Sequence, residues 1–204
     1  MKKISYVDLI VVKEEMKGAI ENRNHIGFRE DYHVLHYLIK RLKPRRFFEI
    51  GTNTGVGTKI IYNALNLSGV NGFEVFSLDL PPEGAHLSKQ YPGENRIGNQ
   101  CSVKYTQLFG DSMNYDFMKH GRMDGWFVDG EHDYEHVFAE SNKIKPHNSR
   151  VVIYHDSDKK GVYDGIKEVF KSAKGYVMYR VVDTRIAFVV KEEYEKDLFG
   201  DNSL

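Results

Sequence analysis

Apolar positions recur at helical spacing twice before residue 45. Leu9, Val12, Met16 and Ile20 predict a first amphipathic helix, weakened at its end by Gly18 and the polar run Glu21–Asn24. Val34, Leu35, Leu38 and Leu42 predict a second, with Lys40–Lys43 at the carboxyl terminus, where cations are favoured, and Pro44 as its stop. From Arg46 onward short apolar runs alternate with helical stretches. Strands are predicted over Phe47–Ile50, Val75–Leu78, Val103–Phe109, Trp126–Val128 and Val151–Tyr154. The intervening helices carry Ile60, Ile61, Ala64 and Leu65, then Tyr134, Val137 and Phe138, then Tyr163, Ile166, Val169, Phe170 and Ala173. Two last strands, Val177–Val182 and Ile186–Val190, are joined by Asp183-Thr184-Arg185, a link short enough for an antiparallel hairpin. Such alternation implies an α/β fold: a mostly parallel sheet with helices on both faces and an antiparallel last strand. Glu83–Gln100, rich in Gly, Pro and Asn, reads as a long surface loop, and the acidic tail from Glu192 as frayed. Residues 1–45 are expected to be N-terminal helices of the same domain, a cap or lid; residues 46–191 form its body and 192–204 a tail.

Composition narrows the partners. The 204 residues suffice for one domain, and 29 basic against 29 acidic residues give no electrostatic case for nucleic acid or membrane. No apolar stretch approaches the roughly 20 residues of a membrane span. The start, MKKISYVDLIVV, has the look of a signal peptide, but Asp8 interrupts it and no small-residue cleavage site follows. A single cysteine, Cys101, fits a reducing, cytoplasmic setting and leaves any metal to His and carboxylate ligands. A small-molecule substrate is expected, and homo-oligomerisation is left open.

The candidate chemistry gathers where the predicted strands end. In open α/β sheets ligands bind at the carboxyl edge. Between the first body strand and its helix lies Glu49-Ile50-Gly51-Thr52-Asn53-Thr54-Gly55-Val56-Gly57, a turn whose glycines permit close approach of a ligand to backbone. Glu49 would repel a pyrophosphate and welcome a cationic ligand such as S-adenosylmethionine, which carries an ammonium and a sulfonium. Asp79, ending the next strand, can accept both hydroxyls of a ribose. Asp111 and Ser112, ending the third, face an adenine edge or serve as turn former and helix cap. In Met123–His136, MDGWFVDGEHDYEH, an apolar run stops at Asp129 with acids and histidines crowded behind it. The run Arg150–Tyr154 ends likewise in His155 and Asp156, so two neighbouring strand ends are expected to converge on one site.

Taken in order, FFEIGTNTG, FSLDLP, QLFGDS, MDGWFVDGEHDYE, VVIYHD and DTRIAFV resemble the class I S-adenosylmethionine-dependent methyltransferases. The likeness is greatest to the small family of macrolide-sugar O-methyltransferases and cephalosporin-hydroxylase-type proteins. It spans Arg46 to Val190, with DGEHDYE and YHD its most specific parts. The resemblance implies a Rossmann-like sheet of seven strands in the order three-two-one-four-five-seven-six, the seventh antiparallel. It also implies a cofactor site of Glu49, Gly51, Thr52, Asn53 and Gly55 at the methionine end, Asp79 at the ribose, Asp111 with Ser112 at the adenine, and Asp129 alongside. Metal-dependent relatives imply a divalent ion on Asp129, His155 and Asp156, magnesium first and manganese or another ion otherwise, with His132 as general base. The expected reaction is metal-assisted O-methylation of a hydroxyl on a small molecule, a sugar or diol. Two departures stand out: His155 offers nitrogen where magnesium prefers oxygen, so either it stands behind the ligands or the ion is manganese, iron or zinc, and Lys145–Arg150 lacks the Gly-Gly turn common in relatives.

Three other readings compete. The G-x-x-x-G-x-G spacing and the string Tyr115-Asp116-Phe117-Met118-Lys119 suit an NAD(P)-binding short-chain oxidoreductase, although that pair lies too near the turn. His132, His155 and a carboxylate could form the facial triad of a non-haem iron oxygenase. A non-catalytic S-adenosylmethionine-binding protein is the last.

Overall fold

A computed structural model of the chain describes residues 1–5, 29–81, 97–98 and 101–199. The first predicted helix, over Leu9–Ile20, and most of the Glu83–Gln100 loop lie outside the described residues. The elements are β1 (Lys2–Ser5), α1 (Arg29–Leu42), β2 (Arg46–Ile50), α2 (Val56–Leu67), β3 (Glu74–Asp79), β4 (Thr106–Phe109), β5 (Gly125–Val128), α3 (Tyr134–Ile144), β6 (Val151–Tyr154), α4 (Lys160–Phe170), β7 (Tyr176–Val182), β8 (Ala187–Lys191) and α5 (Glu192–Phe199).

All eight strands form one sheet in the order β1-β7-β8-β6-β5-β2-β3-β4. Pairing is parallel except for β8, which runs antiparallel to β6 and β7. Without β1 this is the seven-strand order expected. The eighth strand, β1, pairs in parallel with β7, Lys2 beside Tyr179 through Ser5 beside Val182. Four residues are too few for alternation to betray a strand, and only Ile4 is buried.

Period-two alternation splits the core into two layers. Phe47, Phe127, Val151 and Ile153 point to one side, onto α1, α2 and α5. Phe48, Trp126, Val128, Val152 and Tyr154 point to the other, onto α3 and α4. The central strands β5 and β6 are buried along their whole length, which is why they read as unbroken apolar runs. Trp126 ends in polar company: its indole N–H donates to the Ser149 hydroxyl at 2.8 Å, which donates to the Met123 carbonyl at 2.6 Å.

Three expectations shift. The third body strand starts at Thr106 rather than Val103. On α3 the buried face is Val137, Glu140, Ser141 and Ile144, while Tyr134 and Phe138 stack on each other at the surface. The tail from Glu192 is the helix α5, anchored by buried Leu198, by Tyr37 Oη donating to the Leu198 carbonyl at 2.9 Å, and by a Lys2–Glu195 ion pair at 3.1 Å. These contacts are remote in sequence, so the acidic composition alone concealed them.

Candidate active site

Register builds the site. Ile50 pairs with Val128 and Val128 with Tyr154, so the next residues, Gly51, Asp129 and His155, leave the sheet in step. The ladder continues one residue further through Gly51 N–H to Leu78 O, Asp129 N–H to Ile50 O and His155 N–H to Val128 O, at 2.8–3.0 Å. Gly51 has φ +96°, and a side chain there would run into the Asp129 carbonyl, its Cβ 2.7 Å from the carbonyl carbon. Asn53 (φ 46°) and Gly55 (φ 87°) complete a tight turn closed by Gly55 N–H to Thr52 O at 2.8 Å. Backbone thus lies bare at the sheet edge, and only glycine fits at its closest point.

Beneath the turn Glu49 is 1% exposed. It accepts hydrogen bonds from the hydroxyls of Ser77, at 2.5 Å, and of Thr58. A relay stands behind it: Gln107 Nε2 donates to Thr52 Oγ1 at 3.0 Å, and Thr52 Oγ1 lies 2.7 Å from Ser77 Oγ. Because the Ser77 proton goes to Glu49, Thr52 is the donor to Ser77. Burial pushes the Glu49 carboxyl up to about 8; the two hydroxyls lower it, and the Asp129 and Asp79 charges raise it further. Asp79 accepts from Asn53 N–H and Leu80 N–H, both at 2.7 Å, and burial holds its carboxyl above the ordinary range.

The two strand ends do converge. Ligand atoms of Asp129, His132 and Asp156 lie within 4.8 Å of one another. His132 Nε2 is 2.7 Å from Asp156 Oδ2 and 3.8 Å from Asp129 Oδ1, yet it lines up for no hydrogen bond and is buried. The Asp129 and Asp156 carboxylates raise its pKa to about 9. Asp156 itself sits in left-handed backbone, φ 50°, a conformation that costs a non-glycine residue on the order of 1–3 kcal/mol. An orphaned imidazole nitrogen aimed between two carboxylates is a donor set that fits a divalent cation.

His155 has both ring nitrogens engaged. Nδ1 is 2.9 Å from Asp129 Oδ1 and Nε2 is 3.1 Å from Asp31 Oδ2, so neither ring nitrogen is open to an ion in this arrangement. Its pKa is up at about 11: burial opposes the charge, and Asp129, Asp156 and Asp31 outweigh it. Asp111 folds back on its own loop, accepting from Met113 N–H at 2.9 Å and Asn114 Nδ2 at 2.8 Å. Ser112 donates to the buried Glu140 at 2.5 Å, whose pKa burial raises to about 7. Sequence reasoning missed Thr58, nine residues from Glu49, and Ser77, Gln107, Glu140, Asp31 and Arg185, each joined to the site through a contact distant in sequence. Arg185 alone carried a signal, as a lone cation in a three-residue hairpin link.

A family model described as "Methyltransferase domain" matches residues 48–157, more than half of the chain. No curated protein matches by sequence. Among solved structures, the chain is similar to a methyltransferase from Podospora anserina bound to S-adenosylhomocysteine (SAH), at 12% identity over 87% of this chain and 85% of that one, TM-score 0.58. It is similar to an O-methyltransferase from Bacillus cereus in complex with SAH, at 17% identity over 91% and 94%, TM-score 0.54. A TDP-rhamnose 3'-O-methyltransferase of calicheamicin biosynthesis is alike at 13% identity over 91% and 89%, TM-score 0.57. At these identities the likeness is one of fold.

Proposed function

The chain belongs to the methyltransferase-domain family, and on that premise we propose that it methylates a hydroxyl of a small molecule, a sugar or diol, using S-adenosylmethionine and a divalent cation. The observation that carries this reading is the convergence of Asp129, His132 and Asp156 beside the glycine turn. When bound, S-adenosylmethionine supplies a methyl group on a positively charged sulfur, and the cation lowers the pKa of a ligated hydroxyl. Everything else falls to the protein.

Gly51, with Thr52, Asn53 and Gly55, keeps backbone clear for the methionine end, and Glu49, whose carboxyl is pushed up to about 8, becomes a negative charge beneath it once a bound cation displaces its proton. Asp79, its carboxylate fixed by two backbone N–H groups, keeps lone pairs for a ribose diol. Asp111 and Ser112 border the adenine side through their loop, since their side chains bond within the protein. Asp129 and Asp156 would hold the cation, and carboxylate ligands suit magnesium or manganese. His155 stands behind them and orients Asp129. His132 takes the acceptor's proton, a contribution of about 10²–10⁴-fold. At a pKa of about 9 it is protonated at pH 7; a cation held by Asp129 and Asp156 would neutralise the two charges that keep that proton.

The burial of His132 Nε2 between both carboxylates favours a second reading, in which it is a third ligand and the ion is manganese, iron or zinc. His132→Ala separates the two. As a base, it loses at least about 100-fold in kcat with Mn²⁺ affinity unchanged; as a ligand, it loses Mn²⁺ affinity as well. The sugar acceptor draws support from the TDP-rhamnose enzyme of like fold. Calorimetry with SAH, with and without Mg²⁺ or Mn²⁺, tests the whole. Binding of SAH, tightened by the ion, is expected, and no binding under either condition refutes it.

A further inference from the structure

We infer that Asp31 and Arg185 are positioning residues, a clamp that sets His155 and Asp156 and through them the carboxylates of the site. The inference rests on the reading above that Asp129 and Asp156 hold a cation. Both residues fall outside the segment that the family model matches: Asp31 lies before it, on α1, and Arg185 after it, in the β7–β8 link.

Asp31 is 4% exposed and fully engaged. Its Oδ1 accepts the Arg185 backbone N–H at 2.8 Å. Its Oδ2 accepts Arg185 Nε at 2.9 Å, pairs with Nη2 at 2.9 Å and lies 3.1 Å from His155 Nε2. The other edge of the guanidinium reaches forward: Nη1 donates to Asp156 Oδ1 at 2.8 Å. Two chains of contact therefore lead from Asp31 to the site, joined where Arg185 Nη2 comes within 2.9 Å of His155 Nε2. One runs through the His155 ring, whose far nitrogen is 2.9 Å from Asp129 Oδ1. The second runs through Arg185 to Asp156, whose other oxygen is the one beside His132.

The arrangement divides labour between the two oxygens of Asp156. Asp156 gives Oδ1 to the guanidinium and turns Oδ2 to His132, with the Lys159 ammonium 3.3 Å from the same oxygen; on Asp129 it is Oδ1 that meets both His155 and His132. A planar fork is needed to hold Asp31 and Asp156 together; a lysine at 185 has one point of charge and cannot grip both. Partners behind metal-ligating groups change affinity or activity by about 10–100-fold when removed.

Asp31→Asn and Arg185→Lys in the full-length protein test the clamp, read by Mn²⁺ binding (electron paramagnetic resonance of the free ion), by kcat and KM separately, and by thermal melting. Asn keeps the shape of Asp31 and Lys keeps the charge of Arg185. Each is expected to weaken Mn²⁺ about tenfold or more, to lower kcat by a like factor, and to leave KM for S-adenosylmethionine within about twofold. Asp31→Glu, which restores a carboxylate, is expected to recover part of the loss. Should Asp31→Asn not fold, Arg185→Lys carries the same readouts. Folded variants with wild-type Mn²⁺ affinity and kcat overturn the clamp, as does a loss confined to melting temperature. A wild type that binds no Mn²⁺ instead refutes the cation reading. The clamp is then judged on kcat alone, where a tenfold fall at constant KM supports it and no change overturns it.

Discussion

Replacing Glu49 by Gln tests the electrostatics beneath the glycine turn. In the folded protein this carboxyl is buried and titrates at about 8 against an ordinary 4.5. The folded state therefore holds the proton more tightly than the unfolded chain does. The associated stability is complete below pH 4.5 and is lost as pH rises to about 8. A displacement from 4.5 to about 8 corresponds to roughly 5 kcal/mol, and each pH unit inside that window to about 1.4 kcal/mol for one proton. Glutamine cannot ionise, and it can still accept from Ser77 and Thr58 with its carbonyl oxygen. Relative to the wild type, Glu49→Gln should gain stability steadily from pH 5 to 8, reaching at least about 2 kcal/mol once relaxation around the charge is allowed for. Urea unfolding at half-unit pH steps measures the difference, and contributions common to both proteins, such as those of Glu140 and the histidines, cancel. A cationic ligand above the turn should pull the proton off Glu49. Calorimetry of S-adenosylmethionine binding in buffers of different ionisation enthalpy should then register release of up to about one proton at pH 7, and none for the variant. Superimposable stability profiles for the two proteins between pH 5 and 8.5 would refute the reasoning, because they would mean that Glu49 is ionised throughout.

Gly51→Ala should cost at least about 1–2 kcal/mol from the left-handed backbone alone, plus the overlap with the Asp129 carbonyl. It should abolish SAH binding, and a variant that melts and binds like the wild type would contradict the close approach described at that turn. Ser149→Ala leaves the buried Trp126 N–H without its acceptor and should destabilise by about 1–3 kcal/mol, read by urea unfolding with tryptophan fluorescence as the probe. Leu198→Ala should cost about 2–4 kcal/mol if α5 is part of the cooperative fold; an unchanged unfolding curve would make that helix a detachable tail.

Most of the body was legible because its signals are local. β5 and β6 are buried on both faces and announce themselves as apolar runs, and polar residues placed directly after them mark the sheet edge. Gly51 was legible for the same reason, since a glycine between a strand and a helix leaves few alternatives. What sequence could not show was the partner of each polar group. Glu49 reads as a carboxylate beside the turn that welcomes a cation, and its burial against Ser77, 28 residues away, is set by the fold. His155 reads as a ligand, but its second nitrogen meets Asp31, 124 residues away. Asp111 and Ser112 follow the end of β4 and are occupied by neighbours in their own loop and on α3. Pairings of that kind depend on which helix packs on which face, and a one-dimensional pattern does not carry this.

The short strand β1 has a consequence for how the molecule behaves in company. Without Lys2–Ser5, β7 would be a bordering strand of seven residues, presenting unpaired N–H and C=O groups along a face that includes buried Tyr179 and Val181. Borders of that kind invite strand addition from other molecules. Four residues of the chain, two of them lysines, take that place instead, and Lys2 is tied to α5 by its pair with Glu195. Deleting Met1–Ser5 should keep the site and add dimers and larger species in size-exclusion chromatography, with copies joining β7 to β7; an unchanged elution profile would contradict this.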